Sequence, residues 1–249
     1  MRKSVRFFSL LSLLMGTVLF ATTLKDADRL WEKRNGFSGE TAKQVYLKYK
    51  EVVDANPQSY EAYWKYSRAL NWYGMNMATD NKTKKEIFLK AKDAAMLSTQ
   101  INPNGVEGHV WLGVNWGTWG EANGILNSLK AVPEIERNMN EVLTTNPDYD
   151  EAIAYRVLGR LYFKAPGAPL SIGDKEKSEQ YLRRAYQIAP LNKKNALYLA
   201  EILVAKKNNK EALQVLDEAL SKPVRPSNRI EEDADLKEMK ALKARISEK

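Results

Sequence analysis

The chain has 249 residues, 44% of them hydrophobic, a formal net charge of +8, one histidine and no cysteine. That length and composition suffice to bury a substantial core, or the continuous core of a repeat array, without metals or disulfides. The missing cysteine excludes disulfides, thiolate metal sites, a cysteine nucleophile and lipidation of a lipobox residue, and one histidine leaves no zinc cluster.

Residues 1–23 read as an export signal. Arg2, Lys3 and Arg6 form a basic start, 7–21 is apolar, and the small residues Ala21, Thr22 and Thr23 precede Lys25 and Asp26. Cleavage after Thr23 or after Ala21 both leave an imperfect small-residue pattern, so an uncleaved anchor is the alternative, although the apolar run is short for a span and holds Ser12, Gly16 and Thr17. The expected location is the periplasm or cell envelope. The remaining basic residues are scattered rather than run together, which speaks against nucleic acid as a partner.

Past residue 23 the chain is self-similar. Asn56-Pro57, Asn102-Pro103, Asn146-Pro147 and Ala189-Pro190 recur between apolar-periodic stretches, and a proline there ends one helical pair before the next begins. After each proline comes the first-helix spacing of a tetratricopeptide repeat (TPR). It is clearest in Tyr155-x-x-Leu158-Gly159-x-x-Tyr162 and looser around Tyr63, His109 and Ala196. Second helices follow the complementary spacing: Ala91-Ala95-Ser98, Ile135-Met139-Val142, Ser178-Leu182-Ala185 and Ala212-Leu216-Ala219. Small residues at these positions admit close helix packing. The pattern predicts an all-α TPR solenoid of about five helix pairs over 24–225, with 226–249 as a capping helix whose sparse stripe is Ile230, Leu236, Met239, Leu242 and Ile246.

Several repeats exceed the family period, and the excess falls between the two helices of a pair: "NMATDNKTKK", "NGILNSLKAVPE" and "KAPGAPLSIGD". All three are expected as loops at one end of the array, with Ser171 or Asp174 capping the helix after the third. The 165–173 loop reads either as a recognition element or as a tolerated surface insertion.

Candidate binding residues follow from the repeat grid, because first helices line the inner face of a TPR array. They are Trp64, Arg68, Asn71 and Trp72 in one pair and Arg156, Arg160, Phe163 and Lys164 in another. Guanidinium beside aromatic rings suits a carboxylate-bearing or acidic partner; the alternative is that these arginines pair with carboxylates of neighbouring helices, Glu107 and Glu201 among them. Trp119 and Asn123 add an aromatic wall with an amide at a helix end, suited to a small organic ligand. His109 occupies the large-aromatic position of its repeat and reads as a packing residue. The glycines of "GVNWGTWGEANG" lack the Lys-Ser/Thr and preceding strand of a phosphate loop. Neither cofactor, metal nor catalysis is expected.

The segments "GHVWLGVNWGTWGEANGILNSL", "AYRVLGRLYFKAPGAPLSIGDKEKSEQYLRRAYQIAP" and "LYLAE" resemble the tetratricopeptide component associated with tripartite ATP-independent periplasmic (TRAP) transporters. The resemblance covers 56–220 and is most specific over 111–174. It implies a periplasmic helical-repeat protein that docks a solute-binding protein and holds or passes on its ligand, some relatives being trimeric lipoproteins. The absence of cysteine excludes the lipid tether and leaves homo-oligomerisation open. The function expected is therefore an exported binding module, not an enzyme, serving solute uptake; the alternative is a protein-interaction scaffold in envelope assembly without a small ligand.

Overall fold

The computed structural model describes residues 24–248, so the expected export signal lies outside the described residues. Among the described residues there are eleven α-helices and no strand. They fall into two compact units, one ending at Pro103 and the other beginning at Asn104. The first unit contains α1 (24–32), α2 (Gly39–Ala55), α3 (Tyr60–Asn76) and α4 (Asn81–Ile101). The second contains α5 (Val106–Asn123), α6 (Ile125–Thr145), α7 (Tyr149–Lys164), α8 (Lys175–Ile188), α9 (Lys193–Ala205), α10 (Asn209–Ser221) and α11 (Arg229–Ser247).

Proline and short polar side chains punctuate these helices as the sequence predicts. α2, α4 and α6 each end one residue before an Asn-Pro pair, and the asparagine N–H still donates to the carbonyl four residues back: Asn56 to Val52 at 3.0 Å, Asn102 to Ser98 at 2.9 Å, Asn146 to Val142 at 2.8 Å. The following proline cannot extend that ladder. Side-chain oxygens satisfy the opposite ends. Ser59 accepts from Ala62, Asp80 from Thr83, Asp174 from Glu176 and Lys177, Asn192 from Asn195, and Asn208 from Glu211.

Consecutive helices pack as hairpins, and small residues at the crossings fix their approach. A β-carbon on Gly159 would come within 2.6 Å of Leu182 Cγ, and Ser178 Oγ donates to the Gly159 carbonyl at 2.8 Å. In the first unit Ser67 Oγ donates to the Ala91 carbonyl at 2.8 Å. The second unit has two apolar clusters. One joins α5 to α7 through Val110, Met139, Ile153 and Leu158; the other joins α8 to α11 through Leu182, Leu199, Ile202, Leu216 and Met239.

Two of the three expected loops are absent as loops. "NMATDNKTKK" is a short connection, 77–80, after which Asn81 to Lys85 are the first turn of α4. "NGILNSLKAVPE" is one glycine and a helical extension: Gly124, at φ 91°, separates α5 from a 21-residue α6 that accommodates Pro133 on its exposed side. The physical reason is that Gly124 alone supplies the positive φ needed to reverse the chain, so the extra residues lengthen the helix. Only 165–174 is a true loop, with Asp174 rather than Ser171 capping α8.

The C-terminal helix α11 closes the last hairpin. Met239, Leu242 and Ile246 are buried and Leu236 packs beside them, while Glu232 and Asp235 are buried as well.

Candidate interaction surfaces

In the first unit α1, α2 and α3 meet in a cluster of aromatic rings and cations. Trp31 of α1 packs edge-on against Trp72 of α3, with centroids 6.2 Å apart. The Arg68 guanidinium lies 3.9 Å from the Trp31 ring centre and 5.0 Å from that of Trp64, and Arg34 approaches Trp31 to 4.2 Å. Such contacts hold a guanidinium without using all its N–H donors. Asp28 is the carboxylate inside the cluster, and it is already engaged: Tyr49 donates to one oxygen at 2.7 Å and Lys65 to the other at 2.8 Å. Lys65 also reaches Glu61, at 2.7 Å, on the exposed side.

Arg68 Nε and Trp72 Nε1 are buried donors of this cluster with no hydrogen-bond partner. A buried donor left unpaired is costly, so the cluster is short of acceptors. Burial, together with the nearby Arg34, pulls the Arg68 guanidinium below its ordinary pKa, while Tyr49 and Asp28 act in the other direction. Burial is the main cause of the upward shift of the Tyr49 hydroxyl, which is thus a neutral donor. The predicted residues Trp64, Arg68 and Trp72 are therefore brought together, with Asn71 buried on the same helix. Asp28, Trp31 and the adjoining Arg34 escaped the sequence reading because α1 is too short for an apolar period to show and directly follows the apolar run of residues 7–21, and Tyr49 because α2 precedes the first proline-marked pair.

In the second unit the predicted cations are engaged within the chain. Arg160 forms an ion pair with Glu201 of α9 and stacks 4.1 Å from the Tyr198 ring centre, with Phe163 at 5.9 Å. Arg156 donates to Asn195 Oδ1 at 2.9 Å and to the Glu151 carbonyl at 3.4 Å. Lys164 is exposed, 5.3 Å from the Phe163 ring centre. The pairing of Arg160 with Glu201 is the alternative that the sequence left open. Trp119 stands edge-on to Trp116 with centroids 5.4 Å apart, and the Asn123 amide donates to the Trp119 carbonyl at 2.8 Å. That bond uses one N–H of the amide within its own helix. Surface clefts run along α11, lined by Leu220, Leu236, Lys240 and Lys243 or by Val204, Lys207 and Arg245, and none of the predicted site residues lines them.

A polar network that the sequence did not signal joins α7 to the capping segment. Asp150, Glu151 and Ala152 adopt left-handed backbone conformations, at φ 46°, 59° and 62°. Glu151 accepts from Asn192 and pairs with Arg225, which also pairs with the buried Glu232. Burial alone would raise the Glu151 carboxyl, but Arg225 and Asn192 outweigh it and hold it below the usual range. Left-handed backbone costs roughly 1–2 kcal/mol per non-glycine residue. His109 Nδ1 lies 2.8 Å from Asn138 Oδ1, in keeping with packing. Among the described residues no group of three or more His, Asp or Glu side chains could hold a metal.

Hairpins of this kind, stacked with small residues at each crossing, define a TPR-like helical repeat protein. Solved structures agree: a thermophilic TPR protein of Thermus thermophilus superposes with TM-score 0.63 at 16% identity, covering 87% of this chain and 98% of that one. The PilF protein of Pseudomonas aeruginosa gives 0.55 at 12% identity with 90% of each chain covered, and the MamA protein gives 0.51 at 16% with 83% and 98% covered. The chain belongs to the family described as regulator of microtubule dynamics protein 1-3, whose model matches residues 23–169. No curated protein matches the chain in sequence. None of these findings links it to TRAP transporters, the association implied by the resemblance.

Proposed function

We propose that the chain is an exported protein-interaction module whose first unit receives a carboxylate-bearing segment of a partner protein on the Trp31, Arg34, Trp64, Lys65, Arg68 and Trp72 cluster. The observation that carries this reading is the acceptor deficit: the buried donors Arg68 Nε and Trp72 Nε1 are without partners, beside an Asp28 already engaged by Tyr49 and Lys65. A carboxylate accepts several N–H bonds at once, and arginine presents them in parallel. The predicted Arg156 and Arg160 are weaker candidates, because a ligand there would have to displace Asn195 or Glu201.

The basic and apolar order of residues 1–21 supports export. A periplasmic solute-binding protein is the particular partner the sequence resemblance nominates, and a small organic acid is the corresponding ligand; no finding favours either over another acidic partner. The scaffold role in envelope assembly requires only the interaction surface.

Calorimetric titration with a synthetic Asp/Glu-rich peptide, and with its Asn/Gln counterpart, tests the reading. The acidic peptide should bind and its amide counterpart should not. Arg68→Lys, which retains charge but loses the fork of donors, should weaken binding about tenfold with helicity unchanged. Equal binding of both peptides, or unchanged affinity in the variant, would refute it. Cell fractionation that finds the chain in the cytoplasm with Met1 retained would refute export.

A further inference from the structure

Within the second unit the α5–α6 and α7–α8 hairpins turn at the same end, since α5 to α8 pack in sequence as antiparallel neighbours. That end displays aliphatic side chains to water. Ile125 is 74% exposed, Leu126 71% and Leu170 68%. The positions are held in place. Ile125 and Leu126 are the first residues of α6, and Leu170 sits in a loop closed by Gly173 N–H to the Pro166 carbonyl at 2.8 Å and Asp174 N–H to the Tyr162 carbonyl at 2.9 Å. Within the loop the Leu170 and Ser171 N–H groups both bond the Gly167 carbonyl, at 3.1 and 3.3 Å. Gly173 fits because a β-carbon there would strike the Ala165 carbonyl. One exposed leucine would be ordinary; three exposed aliphatic side chains at one end of the unit are a candidate apolar contact surface.

The same end carries three exposed lysines: Lys130 one turn beyond Leu126 on α6, Lys164 at the last position of α7 and Lys175 at the first of α8. Against them stand Glu121, Asp174, whose carboxylate is engaged by the first N–H groups of α8, and Glu176, which is paired with Lys206. We infer that this hairpin end rests on an anionic lipid surface, with Ile125, Leu126 and Leu170 entering the headgroup region and the three lysines among the phosphates. The composition favours lipid over protein. Protein interfaces are enriched in aromatic residues and arginine and depleted in lysine, whereas aliphatic side chains flanked by lysines whose stems lie along apolar surface suit a lipid boundary. Among the described residues no helix is long and apolar enough to cross a membrane. It is separate from the cluster in the first unit and stands without it.

The absence of cysteine allows a dye to be placed at one position at a time. Full-length chain carrying Ile125→Cys, Leu170→Cys or Gln187→Cys is labelled with an environment-sensitive nitrobenzoxadiazole and mixed with vesicles of phosphatidylcholine alone or of phosphatidylcholine with phosphatidylglycerol. Gln187 is exposed near the far end of α8. Because the signal reports one side chain's surroundings, an apolar leader in the same vesicle leaves the comparison between positions intact. The expected result is a blue-shifted, intensified signal at 125 and 170 with the anionic vesicles only, none at 187, and partition at least about tenfold weaker after Lys130, Lys164 and Lys175 are changed together to Gln. Dyes that stay wet at 125 and 170, respond equally to both vesicles, or ignore the lysine changes would overturn the inference. A signal that appears without vesicles as protein concentration rises would assign the surface to a second copy and overturn it equally.

Discussion

Gly117 and Gly159 both lie on first helices of their pairs, yet a methyl group added to each meets different surroundings. At Gly117 the nearest atom is Ile135 Cδ1 at 3.7 Å, ordinary van der Waals contact. At Gly159 it is Leu182, with Cγ at 2.6 Å and the backbone nitrogen at 3.2 Å, on a residue with no exposure of its own. Gly117→Ala should therefore stabilise by about 0.5–1 kcal/mol through helix propensity, while Gly159→Ala should destabilise by about 1–3 kcal/mol through overpacking. Urea unfolding of the two variants checks both signs. The sequence marked Gly159 as the small residue of its repeat and placed Gly117 only among the glycines of "GVNWGTWGEANG"; which glycine a neighbour presses on depends on the register of the opposite helix. Arg68 shows the same division: its repeat position was legible, and its stacking on Trp31 of a short preceding helix was not.

At the level of elements, the helix boundaries could be read because proline and the capping residues act over two or three positions. Gly124 was legible as a glycine but not as a complete turn, since one residue with positive φ replaces a loop of any length. Least legible was the clasp between the start of α7 and the capping segment, where Glu151 and Arg225 are 74 residues apart. This clasp has a pH signature. The Glu151, Glu179 and Glu211 carboxyls are held low, burial raising the first two but Arg225 with Asn192, and Lys206 with Arg183, outweighing it, while Arg183 acts foremost on Glu211. Carboxyls with depressed folded-state values stabilise above their unfolded pKa of about 4.3 and lose that contribution as pH falls through the depressed values. Burial raises Asp235 against the pull of Lys194, so it acts in the opposite direction as acid is added. The expected outcome is a melting temperature that falls as the medium is acidified below about pH 4, less steeply in Glu151→Gln. A wild-type curve matching that of the variant at every pH would remove the clasp from the account.

For the whole molecule, the fold was readable and the partner was not, and the reason is physical. The stretch that carried the TRAP resemblance is written largely in packing residues: Leu112, Gly113, Leu158, Gly159, Tyr162 and Leu182 are buried at hairpin crossings. Any array of such hairpins needs residues of those sizes there, so they identify the architecture and say little about what docks on it. The family match, across residues 23–169, includes the whole of the cationic cluster and both units in part. Partner chemistry depends instead on the few side chains that face outward or lack an internal acceptor, and in the first unit these converge on Arg68 and Trp72. Hydrogen exchange read by mass spectrometry, with and without the Asp/Glu-rich peptide, tests this most directly. The account predicts added protection in α1 and α3, centred on residues 28–34 and 64–72, and none in α9 to α11; protection confined to the second unit, or the same pattern with the Asn/Gln peptide, would contradict it.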